Sequence, residues 1–208
     1  MFGIDAGVVT NAAPYADVSP TSVGDPIRLV HSGACLRNRN LMVMIEGVAL
    51  SRANISLDFY LTPNDPVYLA ELQSHVVGMP NVRVNDPVPY DELIATLNDF
   101  DVGVFVLPPV NFNYEWALPN KLFDYVQARL GVVVGPSAEM SAYVRDFGLG
   151  EVAINYTAGA FARVLDALTL EQVHGFKRAS DAAARDLSAE AQVTIWNQAI
   201  ATIARKAV

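Results

Sequence analysis

The sequence predicts an α/β fold: one doubly wound parallel sheet of about six strands, helices on both of its faces, and further helices at the C-terminus. Two observations carry this expectation. Strand-like and helix-like patterns alternate six times with short connections, which calls for right-handed crossovers within a single sheet. The runs "DVGVFVL" and "GVVVG" are apolar and β-branched without alternation, as strands buried on both faces are. With 208 residues, 52% of them apolar, the chain can bury a sizeable core.

Each element has its own signal. Residues 1–26 hold one short strand-like run, Val8 to Thr10, followed by a Pro, Ser, Gly and Asp mixture typical of a linker. "IRLVHS" reads as a strand, and "NLMVMIEGVALSRA" as a helix with Leu41, Met44, Ile45, Val48 and Ala49 at helical spacing. "SLDFYL" is a strand, followed by the helix "PVYLAELQSHV" with Pro66 at its start and Asn64 or Asp65 as its cap. "VRV" is a short strand, and "YDELIATLNDF" a helix with Asp91 and Glu92 in the first turn, where the dipole favours acids over any role in acid–base catalysis.

Between the two apolar strands lies "LPNKLFDYV". Pro119 suits its first turn, Asn120 is a candidate cap, and Leu122, Phe123 and Val126 form an apolar stripe. Next come the helix "AEMSAYVRDF" closed by Gly148, the strand "EVAIN" and the helix "AGAFARVLDAL". Thr169 to Gln172 has capping-box spacing, and Ser188 caps a last amphipathic helix through Ile195, Ala199, Ile200 and Ile203. Trp196 and Tyr143 read as core or interdomain packing.

The charge balance, 14 basic against 22 acidic residues, gives −8, which argues against a nucleic-acid partner held by phosphate neutralisation. Any anion site is therefore local. The single cysteine, Cys35, excludes an internal disulfide and a cysteine-rich metal site, and fits a reducing cytoplasm. His31, His75 and His174 are scattered without a partner at ligand spacing, so no metal site is expected. His31 ends the first strand and could face a cleft, although a hydrogen-bonded structural histidine is the plainer reading. No run approaches the roughly twenty uninterrupted apolar residues of a membrane span. The expected location is the cytoplasm, with its inner membrane face as the peripheral alternative.

In a doubly wound sheet, ligands sit outside the carboxyl ends of the strands. After the first strand comes "SGACLRNRN", where Gly33 lets a ligand approach the backbone, a helix start near Asn40 aims N–H groups at the same space, and Arg37 and Arg39 flank it. The pattern is neither a dinucleotide fingerprint nor a phosphate-binding P-loop, and a solvated turn also accounts for it. After the fourth strand comes "PPVNFNYEWALPNKLFDY", a long aromatic and polar loop. Lys121 puts a cation at the positive end of a helix, which is unfavourable unless an anion such as a phosphate sits there too. Asp124, one turn on and on the same face, could accept hydrogen bonds from a sugar diol. An exposed Lys121–Asp124 pair, worth a few tenths of a kcal/mol, is the alternative.

Three segments, "RLVHSGACLRNRNLMVMIEGV", "DELIATLNDFDVGVFVLPP" and "LPNKLFDYVQARLGVVVGPSAEMSAYV", stand in the order found in one family. They resemble the C-terminal, donor-binding half of GT-B type retaining glycosyltransferases of the glycosyl transferases group 1 family, whose donor domain is Rossmann-like. The third resembles the family's Pro-x-Lys-x-Phe-Glu-Tyr signature. The resemblance implies a hexosyltransferase that moves a sugar from a UDP- or GDP-linked donor to an acceptor with retention, in cell-envelope or polysaccharide biosynthesis, with no obligatory cofactor or metal.

By the same resemblance, Arg39 and Lys121 stabilise the leaving diphosphate, Gly33 admits it, and Asn120, Lys121 and Leu122 form the phosphate-binding helix start. Asp124 falls where a glutamate binds ribose, and Val88, Pro89 and Tyr90 fall where the nucleobase rests. Two features depart from the family pattern. Ala34 stands where an arginine is usual, so Arg37 is the candidate replacement charge. Glu115 precedes Asp124 by nine positions where the family has two glutamates eight apart, which leaves Glu115 as a further donor-site candidate.

The implied organisation is an interdomain linker remnant at 1–26 with its "N-x-x-P-Y" segment, a donor domain at 27–170, and helices at 171–208 that cross back to a missing N-terminal acceptor domain. Alone, such a chain would not transfer sugar, and exposed interdomain surface would favour self-association. Peripheral membrane association belongs to the whole enzyme. Two further readings stand beside this one: half of a nucleotide-sugar epimerase, and a non-catalytic flavodoxin-like binding or regulatory module.

Overall fold

The computed structural model describes residues 8–206, so the first seven residues of the expected linker and the last two residues of the chain lie outside it. Six strands form one sheet: β1 (Ile27–Ala34), β2 (Ile55–Thr62), β3 (Val82–Asn85), β4 (Val102–Phe105), β5 (Gly131–Val134) and β6 (Gly150–Val152). Their order is β3-β2-β1-β4-β5-β6, and every pairing is parallel. Leu29 lies opposite both Leu57 and Val102, and Phe105 opposite Val134. Winding reverses between β1 and β4, and a crevice opens there at the carboxyl ends of the strands.

The helices are α1 (Met42–Leu50), α2 (Pro66–His75), α3 (Tyr90–Asn98), the single turn α4 (Phe112–Glu115), α5 (Asn120–Gln127), α6 (Ala138–Asp146), α7 (Ala158–Ala167), α8 (Leu170–Ala183) and α9 (Ala189–Lys206). The sheet separates two apolar clusters. One joins Leu29, Leu57 and Val133 to Met44, Ile45, Leu72, Phe161 and Leu165, which α1, α2 and α7 supply. The other joins Val30, Val132 and Val134 to Leu97, Phe123, Val126, Met140 and Val144, from α3, α5 and α6. Consecutive strand residues thus face opposite clusters, and β4 and β5 are buried along their whole length, as their unalternating sequences require.

The local signals act as their chemistry dictates. Asp65 accepts from the Tyr68 N–H at 2.9 Å and caps α2, Thr169 and Gln172 form a reciprocal capping box on α8, and Ser188 accepts from the Ala191 N–H at 3.3 Å. Gly148 ends α6 with φ of 63°. Two expectations need correction. Val8 to Thr10 is not a strand: the Thr10 N–H is taken by the Gln192 side chain, so the segment runs beside α9 and pairs with no strand. Asn120 does not cap α5, because Pro119 occupies the cap position with ψ of 151° and Asn120 is already helical.

Residues 8–24 have no regular structure yet are fastened to the domain. Ala13 accepts from the Ala189 N–H, the Ala16 N–H donates to Gln127, and Arg129 Nη2 donates to the Ala16 carbonyl at 2.8 Å. The Tyr15 ring lies under the guanidinium groups of Arg185, at 4.1 Å, and Arg129, at 5.4 Å. Further along, Lys177 donates to Thr21 and to the Phe100 carbonyl. On α9, Val193, Trp196, Ile200 and Ile203 are exposed; Trp196, at 57%, is not core packing. Tyr143 is half-buried, edge-on to Phe123 and stacked on Phe147. Among the described residues no helix is long and apolar enough to cross a membrane.

Candidate functional site

Helix α5 explains why polar residues can sit inside the fold. Every residue from Lys121 to Gln127 is buried, because the helix packs against β4 and β5 on one side and α3 and α8 on others. The Tyr125 ring occupies the space that a side chain at Gly103 of β4 would need. The C-terminus of α5 is tied down by Arg129, whose φ is 59° and whose buried guanidinium donates to the Gln127 and Val126 carbonyls. Its Nε pairs with Asp181 of α8 at 2.7 Å. The helix is therefore rigidly placed, with its N-terminus at the crevice.

A cleft of about 670 Å³ opens there. Its walls come from the ends of β1 (Ser32, Gly33) and β2 (Tyr60, Thr62), from the β3–α3 region (Pro87, Val88, Tyr90, Leu93), from Arg39, and from Pro119, Asn120, Lys121 and Asp124. Lys121 is only 8% exposed and Asp124 only 5%. Gly33 has φ of 128° and no side chain, and a Cβ there would stand 3.1 Å from Lys121 Nζ and 3.8 Å from Arg39 Nη1. Both cations thus converge on one glycine. Arg39 Nε is buried without a hydrogen-bond partner.

The electrostatics follow from burial. Desolvation, then the Arg39 charge, hold the Lys121 ammonium well below its ordinary pKa, with Asp124 acting in the opposite sense. Desolvation raises Asp124 from 3.8 to about 6 against the opposing pull of Lys121 and of the Tyr90 hydroxyl, which donates to Asp124 Oδ1 at 3.4 Å. Two groups that would be charged in water are thus pressed toward neutrality. An anion beside Lys121 would favour the ammonium, as an opposite charge favours the ionised form.

The structure brings Gly33, Arg39, Val88, Tyr90, Asn120, Lys121 and Asp124 together in one cleft. Three candidates lie outside it. Arg37 and Arg39 belong to a single 3-10 turn, in which residues two apart point in different directions. Arg37 turns outward, donating to both carboxylate oxygens of Glu71 at 2.7 Å and stacking over Tyr68 at 4.7 Å. Glu115 is exposed on the α4 turn, and Leu122 is in the core with its N–H bonded to the Pro119 carbonyl.

The expected second helix mouth is also closed. Asn40 takes a left-handed conformation, α1 starts only at Met42, and the Met42 N–H donates to the Tyr68 hydroxyl. Tyr60, Ser32 and Thr62 are not among the sequence candidates; each lies within the last three residues of β1 or β2, and that position near the carboxyl end of a strand is the signal that would have found them. His31 is a buried, hydrogen-bonded histidine, as its plainer reading held, but one of its partners is Lys121.

Solved structures that share this fold include glycosyltransferases of GT-B type, and at 16% identity or below the likeness is one of fold. The pneumococcal O-GlcNAc transferase GtfA, solved with UDP and GlcNAc, is 11% identical, with a TM-score of 0.69 over 92% of this chain and 38% of its own. Anabaena HepE, solved with UDP-glucose, is 11% identical, with a TM-score of 0.69 over 86% of this chain and 49% of its own. AviGT4, a glycosyltransferase involved in avilamycin A biosynthesis, is 16% identical, with a TM-score of 0.66 over 98% and 58%. The chain therefore spans about two fifths to three fifths of the length of these structures. No family model matches it, and no curated protein matches it in sequence.

Proposed function

We propose that this chain is the donor-binding half of a glycosyltransferase, and that its cleft holds the nucleoside diphosphate of a sugar donor. One observation supports this above the others: Lys121 and Arg39 converge on Gly33 at the mouth of α5, with Asp124 one turn further along the same cleft. Two cations, a side-chain-free strand end and a helix N-terminus together suit a diphosphate. A carboxylate about 5 Å up the helix suits the ribose hydroxyls. Val88 and Tyr90 border the remaining wall, where a nucleobase would lie.

In the reaction, Arg39 and Lys121 neutralise charge that grows on the diphosphate as the glycosidic bond breaks. UDP accompanies two of the similar structures, which favours UDP over GDP as the first donor to test. Retention, a hexosyl donor, a cell-envelope or polysaccharide acceptor and a cytoplasmic site of action follow from the family resemblance. A companion domain would bring the acceptor and pack on the exposed apolar residues of α9.

A thermal-shift panel with UDP, GDP, ADP and their sugar conjugates tests the reading on the parent and on Lys121→Ala and Asp124→Ala. Stabilisation of the parent by a nucleoside diphosphate, lost in both variants, is the expected result. A shift that persists in both variants, or no shift in the parent, overturns it.

A further inference from the structure

His31 is fully buried between Phe59 and Phe105, with ring centroids 5.7 and 5.3 Å away. The β1–β4 ladder ends where Val30 faces Gly103, so the Val104 carbonyl has no partner on β1's backbone. His31 Nδ1 takes that place, 2.8 Å from the oxygen. A carbonyl oxygen only accepts, so Nδ1 carries the proton. On the other side of the ring, Nε2 lies 3.1 Å from Lys121 Nζ, which donates to it. The two contacts together require a neutral imidazole with its free lone pair aimed at the ammonium.

Lys121 Nζ is confined from other directions as well. The Phe105 ring lies beneath it at 4.0 Å, and Gly33 flanks it without a side chain. His31 Nε2 is its one hydrogen-bond acceptor among the described residues. We propose that His31 is a positioning residue for Lys121: by accepting one N–H, it fixes the ammonium so that its other donors face the cleft. This rests on the donor-site reading above and adds to it a determinant of how tightly the diphosphate is held. It also gives a reason for a histidine at a strand position that packing alone would fill with an apolar side chain.

Two measurements test the proposal. In ligand-free protein at pH 7, long-range proton–nitrogen NMR should show His31 protonated at Nδ1 and unprotonated at Nε2, with the Nε2 resonance moving in Lys121→Met. An Nε2–H tautomer or an imidazolium overturns the proposal. UDP affinity should fall about tenfold in His31→Phe, which keeps the aromatic packing but removes the acceptor, and stay within about twofold of the parent in His31→Gln, whose amide oxygen can reach the Nε2 position.

The Val104 carbonyl keeps the Tyr125 hydroxyl as a donor at 3.3 Å in either variant, and thermal unfolding checks that both fold. A Phe variant that binds UDP as the parent does, or a Gln variant no better than Phe, overturns the positioning role. Absence of UDP binding by the parent counts against the donor-site reading, while the tautomer and its response to Lys121→Met still decide the role of His31.

Discussion

Lys121 and Asp124 stand one turn apart on α5, both buried, and burial pulls their titrations toward each other: the ammonium falls well below its ordinary pKa and the carboxyl rises to about 6. Such a pair costs folding stability, and pairs of this kind concentrate at sites that bind.

The first prediction is a stability profile. The folded-state pKa of Asp124 lies above its ordinary value of 3.8, so its contribution is fully present below pH 4 and is lost as the pH rises through about 6. The shift corresponds to roughly 3 kcal/mol at most. Urea unfolding of Asp124→Asn should show a flatter profile than the parent between pH 4 and pH 6, and about 1–3 kcal/mol more stability at pH 7.5. The same variant should lose the UDP-induced thermal shift. An Asn variant less stable than the parent at pH 7.5 would identify Asp124 as a structural residue.

Lys121→Met should behave in parallel. Replacing the buried ammonium by an apolar chain of similar length removes a charge that desolvation disfavours, so urea unfolding should show no loss of stability while UDP titration shows binding weakened at least tenfold.

The two arginines of the first loop should separate cleanly. Arg39→Ala removes a guanidinium that lines the cleft, and should weaken UDP by about tenfold or more. Arg37 is engaged with Glu71 and Tyr68 at the surface, so Arg37→Ala should leave UDP affinity unchanged in the same titration.

Gly33→Ala meets two obstacles, a φ of 128° and the Lys121 ammonium at 3.1 Å. It should cost about 1–3 kcal/mol of stability and displace the lysine, so UDP affinity falls as well. Unfolding and binding measured on one preparation test both effects.

Arg129→Ala should reduce stability without entering the cleft. The substitution removes the donors that close α5 and that hold the Ala16 carbonyl, and leaves Asp181 without its partner. Asp181 is half exposed, which moderates the cost to about 2–4 kcal/mol in urea unfolding.

The sheet was legible in the chain because its signals are local: β-branched runs in β4 and β5, the Asp65 cap, the Thr169–Gln172 box and Gly148 each act over a few residues. That a site would lie at the carboxyl ends of the strands followed from alternation, whereas the strand order, which sets where winding reverses, is seen only in the folded sheet. Lys121 was conspicuous for a similar reason, being a cation set where the helix field is already positive.

What the sequence could not settle depends on directions and long-range neighbours. Arg37 and Arg39 are two residues apart and chemically alike, yet only the turn geometry sends one to Glu71 and the other to Gly33. The closure of the α1 mouth depends on Tyr68, 26 residues away, and the role of His31 on Lys121, 90 residues away. Sequence patterning records which residues are buried, whereas the partner of a buried polar atom is chosen by packing between elements that are distant in the chain.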